Sequence, residues 1–219
     1  MTSRLGIGMT SPRTRARMVE RLRAQGIRDE VVLAAMNSVP RHLFVDEAMA
    51  SRAYDDVALP IGYYQTISQP FIVARMTEIL RNGRPLGRVL EIGTGCGYQA
   101  ALLAQMAQQV YTLERIEPLY LKARKRLFDL GLRNVSVRHV DGSNGLPDAA
   151  PFDGILMACA APMLTDTLKA QLTVGGRMVL PVGTQDQPQY LYLIERNEDG
   201  FRETRLDAVK FVPLLAGKA

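Results

Sequence analysis

The segment Glu91-Ile92-Gly93-Thr94-Gly95-Cys96-Gly97 carries the most specific chemistry in the chain. An apolar, strand-like run over 89–92 meets a turn with glycines at alternate positions, and a helical pattern follows over 98–107. Glycines accept positive backbone angles and let a ligand press against the main chain. At the carboxyl end of a central strand in a parallel sheet, such a turn opens on the ligand crevice. Nicotinamide enzymes space these glycines as G-x-G-x-x-G, whereas the G-x-G-x-G found here favours S-adenosylmethionine. Glu91 stands ahead of the first glycine, where a carboxylate can meet the positive methionine part of that cofactor. Glu114 ends the next strand candidate, in the position that accepts hydrogen bonds from both ribose hydroxyls. Asp141 and Gly142 follow the third, Asp141 placed to receive an adenine amino group and Gly142 to let the backbone approach the ring. Each acid also has a plain reading as a strand-end or turn residue. The cofactor-binding candidates are thus Glu91, Gly93, Thr94, Gly95, Cys96, Gly97, Glu114, Asp141 and Gly142.

Those residues need a sheet to hold them. Ser11 followed by Pro12 reads as a helix cap and first turn, with Met18, Val19 and Leu22 at helical spacing. A second helix is predicted over 29–37, ended by Pro40. Residues 54–70 show no clear period and read as a long functional loop with hydroxyl and amide side chains. Beyond Pro70, Ile72, Met76, Ile79 and Leu80 mark a helix, and strand candidates follow at 88–92, 110–114, 135–139, 154–158, 177–181, 190–195 and 208–212. Helical patterns separate the first five, which predicts a doubly wound α/β fold: a mostly parallel, seven-stranded, Rossmann-like sheet with helices on both faces. The last two strands follow each other directly and form an antiparallel hairpin at one edge. Cys96 and Cys159 fall after the first and fourth strands, expected neighbours in the sheet, so both line the crevice.

The chain of 219 residues with 47% apolar content supports one well-filled core. The expectation is a single domain over 1–219: a flexible 1–11, N-terminal helices and a substrate loop over 12–70, and the cofactor-binding sheet over 71–219. No apolar run approaches the length of a membrane span, so a cytoplasmic protein with no membrane partner is expected. Two dispersed cysteines and two dispersed histidines, His42 and His139, give no support to a metal site. The net charge of +5 raises the question of an acidic partner, and Arg4, Arg13, Arg15, Arg17, Arg21, Arg23 and Arg28 crowd the start against one acid, Glu20. That segment lacks aromatics to stack on bases, so it reads as a solvated helix face and no nucleic acid is expected. A monomer is the expected state.

With the glycine turn placed, the flanking segments become recognisable. They are Val39-Pro40-Arg41 with Phe44-Val45-Asp46-Glu47, Ala58-Leu59-Pro60-Ile61-Gly62, Gln65-Thr66-Ile67-Ser68-Gln69-Pro70, Phe152-Asp153, Ala160-Ala161-Pro162, Gly175-Gly176 with 179–183, and Phe211-Val212-Pro213-Leu214. Together they resemble protein-L-isoaspartate O-methyltransferases from about residue 15 to residue 217, the Gln-Thr-Ile-Ser run being specific to that family. The resemblance implies methyl transfer from S-adenosylmethionine to the free carboxylate of L-isoaspartyl residues in damaged proteins or peptides, the ester then collapsing to a succinimide. It implies Ser68 as the active-site residue, with Thr66, Ile67, Ile61 and Val212 shaping the substrate pocket. The sequence departs from the usual pattern at Tyr64, where bacterial relatives have glycine, and at Cys96, which replaces a serine. Tyr64 adds bulk next to the pocket.

That reaction explains the scarcity of histidine. A carboxylate is already ionised at neutral pH, so methylating it calls for positioning instead of a strong base. Ser68 suits an orienting hydroxyl donor and is also placed to cap the helix after Pro70, two compatible roles. The alternatives are a methyltransferase acting on RNA or a small molecule and a binding module that kept the cofactor fold. Against the first, 159–162 reads Cys-Ala-Ala-Pro and lacks the Asn-Pro-Pro-Tyr and Pro-Cys motifs of base-methylating enzymes. Against the second stand the intact Glu91, Glu114, Asp141 and Ser68.

Overall fold

A computed structural model describes residues 6–219. Arg4 and the first five residues of the stretch expected to be flexible lie outside the described residues. Of the remainder of that stretch, Gly8–Thr10 form a 3-10 turn in which the Thr10 hydroxyl donates to the Ile7 carbonyl.

Helix α1 (Pro12–Ala24) starts as the sequence predicts. Ser11 is its N-cap and accepts the Thr14 amide, and Met18, Val19 and Leu22 are buried. Helix α2 (Glu30–Ser38) has Asp29 as its cap, with Oδ1 accepting the Val31 amide at 3.0 Å. The predicted loop over 54–70 instead contains a hairpin of β1 (Leu59–Gly62) and β2 (Gln65–Ile67), paired antiparallel from Leu59–Ile67 to Gly62–Gln65. Strands of four and three residues are too short to show an alternating pattern, and Pro60 weakens the signal further. Helix α3 (Pro70–Arg81) follows at once.

The remaining elements are β3 (Leu86–Ile92), α4 (Tyr98–Leu103), β4 (Ala107–Glu114), α5 (Glu117–Asp129), β5 (Val135–His139), β6 (Phe152–Met157), α6 (Asp166–Lys169), β7 (Leu172–Val182), β8 (Gln189–Asn197) and β9 (Gly200–Val209). The strands form one seven-stranded sheet in the order β5-β4-β3-β6-β7-β8-β9. The pairs from β5 through β7 are parallel, and β7–β8 and β8–β9 are antiparallel. Between β5 and β6 the expected helix is replaced by a 3-10 turn, Pro147–Ala149, because 141–148 is dense in turn-forming residues. The last strand lies at 200–209, not 208–212. As the sheet's edge it is mostly exposed, so few apolar residues mark it. Among the described residues no helix is long and apolar enough to cross a membrane.

Alternation along the strands divides the core. Val89, Val110, Leu156 and Val179 pack with Met76 and Leu80 of α3 and Leu103 of α4. Leu90, Ile92, Ile155, Met157, Met178 and Leu180 face the other way and meet Ala149 and Leu168. Chain order reverses between β3 and β6, so the crevice of a doubly wound sheet opens at their carboxyl ends.

The N-terminal helices are tied to α3, which starts just after Ser68. Glu78 Oε1 accepts the backbone amides of Arg28 and Asp29, and Asp29 Oδ2 meets Arg81 Nη1 at 2.5 Å where both side chains are nearly out of water. Removing one partner of such a pair strands the other charge. Asp29→Ala, which also deletes the α2 cap, is expected to lower stability by about 3 kcal/mol. Asp29→Asn keeps a capping oxygen and should lose less. Urea unfolding of the three proteins checks the order.

Candidate active site

The glycine turn is stitched to the end of β4. The amides of Gly93 and Thr94 both donate to the Leu113 carbonyl, at 2.9 and 3.0 Å, and the Gly95 amide donates to Glu114 Oε2 at 2.8 Å. Glu114 Oε1 accepts the Ile116 amide at 2.9 Å. Gly95 has φ of 55°, and a Cβ there would stand 3.2 Å from Ile61 Cδ1. At this position the positive φ favours glycine and the space for a side chain is tight. Arg126 of α5 braces the turn by donating to the Cys96 carbonyl at 2.7 Å.

Beneath the turn, Glu91 pairs in register with Thr112 on β4 and is fully buried. Its Oε2 accepts the Thr112 hydroxyl at 2.5 Å, and Thr112 Oγ1 lies 2.6 Å from Thr94 Oγ1. A hydroxyl has one proton to give. When Glu91 is ionised it accepts the Thr112 proton and Thr94 donates to Thr112; a neutral Glu91 can donate from Oε2 and reverse the relay. Glu91 Oε1 is buried with no partner among the described residues. Burial pushes this carboxyl up to about 8, opposed by the Thr112 hydrogen bond and helped by the nearby Glu114.

One cavity collects most of the expected residues. Glu91, Gly93, Thr94, Gly95, Cys96, Glu114 and Gly142 line it, and so do Thr66, Ile67, Ser68 and Val212. Gly142 has a steric reason to be glycine, because a Cβ there would meet Ile92 Cγ2 at 2.7 Å. Three expected residues do not line the cavity. Ile61 packs behind Gly95, and Gly97 faces α5, where a Cβ would meet Leu127 Cδ1 at 3.3 Å. Asp141 accepts the Gly217 amide through Oδ2 at 2.6 Å and the Ser143 amide through Oδ1 at 2.9 Å. These two bonds, the Gly217 one foremost, hold its carboxyl below the usual range. The carboxylate expected at adenine thus also anchors the C-terminal segment, and like Glu114 it keeps lone pairs beyond its two amide bonds.

Ser68 is half-buried and makes no hydrogen bond with the described residues. The N-cap of α3 is Gln69, without a side-chain cap bond, so the Ser68 hydroxyl is not spent on the helix. Both cysteines line the cavity as free thiols. Burial pushes Cys159 up to about 12 and raises Cys96 as well, so neither is a thiolate nucleophile at neutral pH.

Sequence reasoning missed Thr112 and, beyond the Phe211-Val212-Pro213-Leu214 run, the C-terminal strap over 215–219. A threonine inside the apolar run Val110-Tyr111-Thr112-Leu113 was the available signal for the first. The strap runs without periodicity. It closes on the cofactor end through Leu214 and Leu215 in the cavity wall, Arg115 Nε donating to the Gly217 carbonyl, and the Glu117 amide donating to the Ala219 carbonyl.

The residues fit the cofactor that the glycine spacing suggests. An unsatisfied buried carboxylate oxygen answers a positive ligand group, and Glu114 keeps lone pairs free beside its two amide bonds. A doubly wound sheet with this turn at its switch point and a carboxylate tipping the adjacent strand defines an α/β methyltransferase of the S-adenosylmethionine-dependent class. The chain belongs to the protein-L-isoaspartate(D-aspartate) O-methyltransferase family, whose model matches residues 13–219. A protein-L-isoaspartate O-methyltransferase from Methylobacillus flagellatus is 60% identical over 216 residues, covering 97% of this chain and 96% of its own. A solved protein-L-isoaspartate O-methyltransferase superposes with a TM-score of 0.83 at 27% identity, covering 91% of this chain, which spans 65% of that one. A protein from Plasmodium falciparum described as a beta-aspartate methyltransferase, solved in complex with S-adenosyl-L-homocysteine, gives 0.77 at 25% identity, covering 92% and 98%.

Glu91 links stability to pH. The folded chain holds this proton up to about pH 8, while an unfolded chain releases it near the ordinary 4.5, so the folded state binds more protons in between and loses stability as pH rises through that window. Glu91→Gln should flatten this decline and raise the melting temperature of the ligand-free protein near pH 8. The same variant should bind S-adenosylhomocysteine about tenfold or more weakly, as expected from losing a charge-assisted contact. Calorimetry and thermal melts across pH check both.

Proposed function

We propose that this protein transfers the methyl group of S-adenosylmethionine to the free carboxylate of L-isoaspartyl residues in damaged proteins and peptides, opening their repair through a succinimide. The observation that carries the reading is a single cavity walled by Glu91, Gly93 and Glu114 together with Thr66, Ile67 and Ser68 in a chain of this family. Glu91 would hold the positive methionine part, Glu114 the ribose hydroxyls, and the backbone at Gly142 the adenine side. When bound, the cofactor supplies an electrophilic methyl group, which passes to a carboxylate oxygen as the carbon–sulfur electron pair stays with sulfur.

In the transfer step the residues of the chain have positioning work to do and no proton to move. The acceptor is ionised at neutral pH. Neither histidine lines the cavity: His42 Nδ1 is 2.8 Å from the Tyr54 hydroxyl, and His139 Nε2 is 3.0 Å from the Arg115 carbonyl. The unspent Ser68 hydroxyl would donate to the acceptor carboxylate and aim one oxygen at the methyl group, with Thr66 as a second donor. Neutral donors orient a carboxylate without quenching its nucleophilicity as an arginine clamp would. Ile67 and Val212 supply apolar wall that keeps out water.

The same reading makes the chain a single-domain, monomeric, cytoplasmic protein. Met106 and Val135 pack against both the N-terminal cluster and the sheet cluster, which supports one shared core. Two free, buried cysteines suit a reducing compartment. Val31 on α2, Phe128 on α5 and Phe201 on β9 are exposed on separate elements, which supports a monomer.

With methyl-labelled cofactor, an isoaspartyl peptide should be labelled and its normal aspartyl counterpart should not. Ser68→Ala should lower kcat about a hundredfold, the scale of losing one positioned donor, while binding the cofactor as before. Equal labelling of both peptides, or of neither, contradicts the activity. Full turnover by Ser68→Ala contradicts the role of the serine.

A further inference from the structure

The turn between β1 and β2 carries a feature that the methyl-transfer reading leaves unused. Gly62, Tyr63 and Tyr64 have φ of 89°, 54° and 57°. Gly62 pairs with Gln65, so the two tyrosines are the central residues of a two-residue hairpin turn. Such a turn, with positive φ at both positions, suits asparagine and glycine, whereas a tyrosine there brings its Cβ against the neighbouring carbonyl. At Tyr64 the fold offers nothing in return. Tyr64 is fully exposed at 101% and Tyr63 is 47% exposed, and neither ring packs on another aromatic or on a cation among the described residues.

The position of the turn is informative. Gln65 lines the cavity and donates through Nε2 to the Tyr63 carbonyl at 3.2 Å, and the wall continues through Thr66, Ile67 and Ser68. Two phenol rings therefore stand in water at the rim of the cleft, one hydrogen bond from its wall. Strained backbone beneath a fully exposed Tyr64 and a half-exposed Tyr63, neither with an aromatic or cationic partner among the described residues, marks residues held for an outside contact.

We infer that Tyr63 and Tyr64 form a gripping tip that packs on the apolar side chains and main chain flanking the isoaspartyl residue. The inference rests on the isoaspartyl reading above. A substrate that places its carboxylate beside Ser68 must leave the cavity in both chain directions, across this rim. Tyrosine suits that contact because it offers a flat apolar face and a hydroxyl for peptide groups while freezing only two side-chain torsions. Tyr63 and Tyr64 act on the choice of substrate; Ser68 and Thr66 act on the reacting group.

The test uses two isoaspartyl peptides of equal length, one with leucine and valine beside the isoaspartyl residue and one with glycines. The Tyr63→Asn/Tyr64→Gly double variant installs the residues this turn favours, so its melting temperature should match or exceed the parent's. The parent's preference for the apolar peptide, as a ratio of kcat/KM values, should fall about fivefold or more in the double variant, through KM, the scale of losing a packed aromatic contact. Tyr63→Phe/Tyr64→Phe should keep most of the preference. An unchanged ratio in the Asn-Gly variant, or a loss carried by kcat, overturns the tip alone. Failure of the parent protein to methylate either isoaspartyl peptide overturns the isoaspartyl reading and the tip with it.

Discussion

Glu91 is a carboxyl removed from water, with one oxygen satisfied by Thr112 and the other by nothing in the chain. Burying an ionisable group this way costs stability unless it stays neutral or finds a cation. The structure accommodates the cost locally. The strand pair β3–β4 supplies the threonine, Thr94 in the glycine turn supplies the next hydroxyl, and the turn is held over the pair by amides that reach Leu113 and Glu114. The rest of the site is built outward from that arrangement.

Two arms close on the crevice from outside the sheet. The β1–β2 hairpin brings Thr66, Ile67 and Ser68 to one wall, anchored by α3, which is bound to α2 through Glu78, Asp29 and Arg81. The C-terminal strap closes the other end, held by Asp141, Arg115 and Glu117. Cofactor end and acceptor end thus depend on different anchors and meet in the cavity and where Ile61 packs behind Gly95. Substrate contacts can vary at the hairpin tip without disturbing the buried carboxyl.

The parallel sheet was legible because 89–92 and 110–114 are apolar runs ending in glycine or an acid, a pattern that survives without tertiary context. The cofactor half of the site was legible for the same reason: the motif is contiguous, and Glu91, Gly93, Gly95 and Glu114 all reach the cavity. Contacts made across the chain were not. Asp141 reads as an adenine ligand from its place after β5, but its bonds to the Ser143 and Gly217 amides, the latter 76 residues away in sequence, left no signal there. The hairpin was hidden by its shortness and β9 by its exposure, since a strand that buries little leaves little pattern. Ser68 and its neighbours were reached through resemblance, because a hydroxyl with no local partner has no signature in spacing.

The central claim is that Glu91 is kept neutral in the free protein and gives up its proton to meet the positive end of the cofactor. Calorimetric binding of S-adenosylhomocysteine at about pH 7, in buffers of different ionisation enthalpy, counts that proton directly. The account predicts release of roughly one proton per ligand bound, lost in Glu91→Gln, because a carboxyl with a pKa of about 8 is mostly protonated there. Binding with no proton release, or with the same release in the variant, would contradict it.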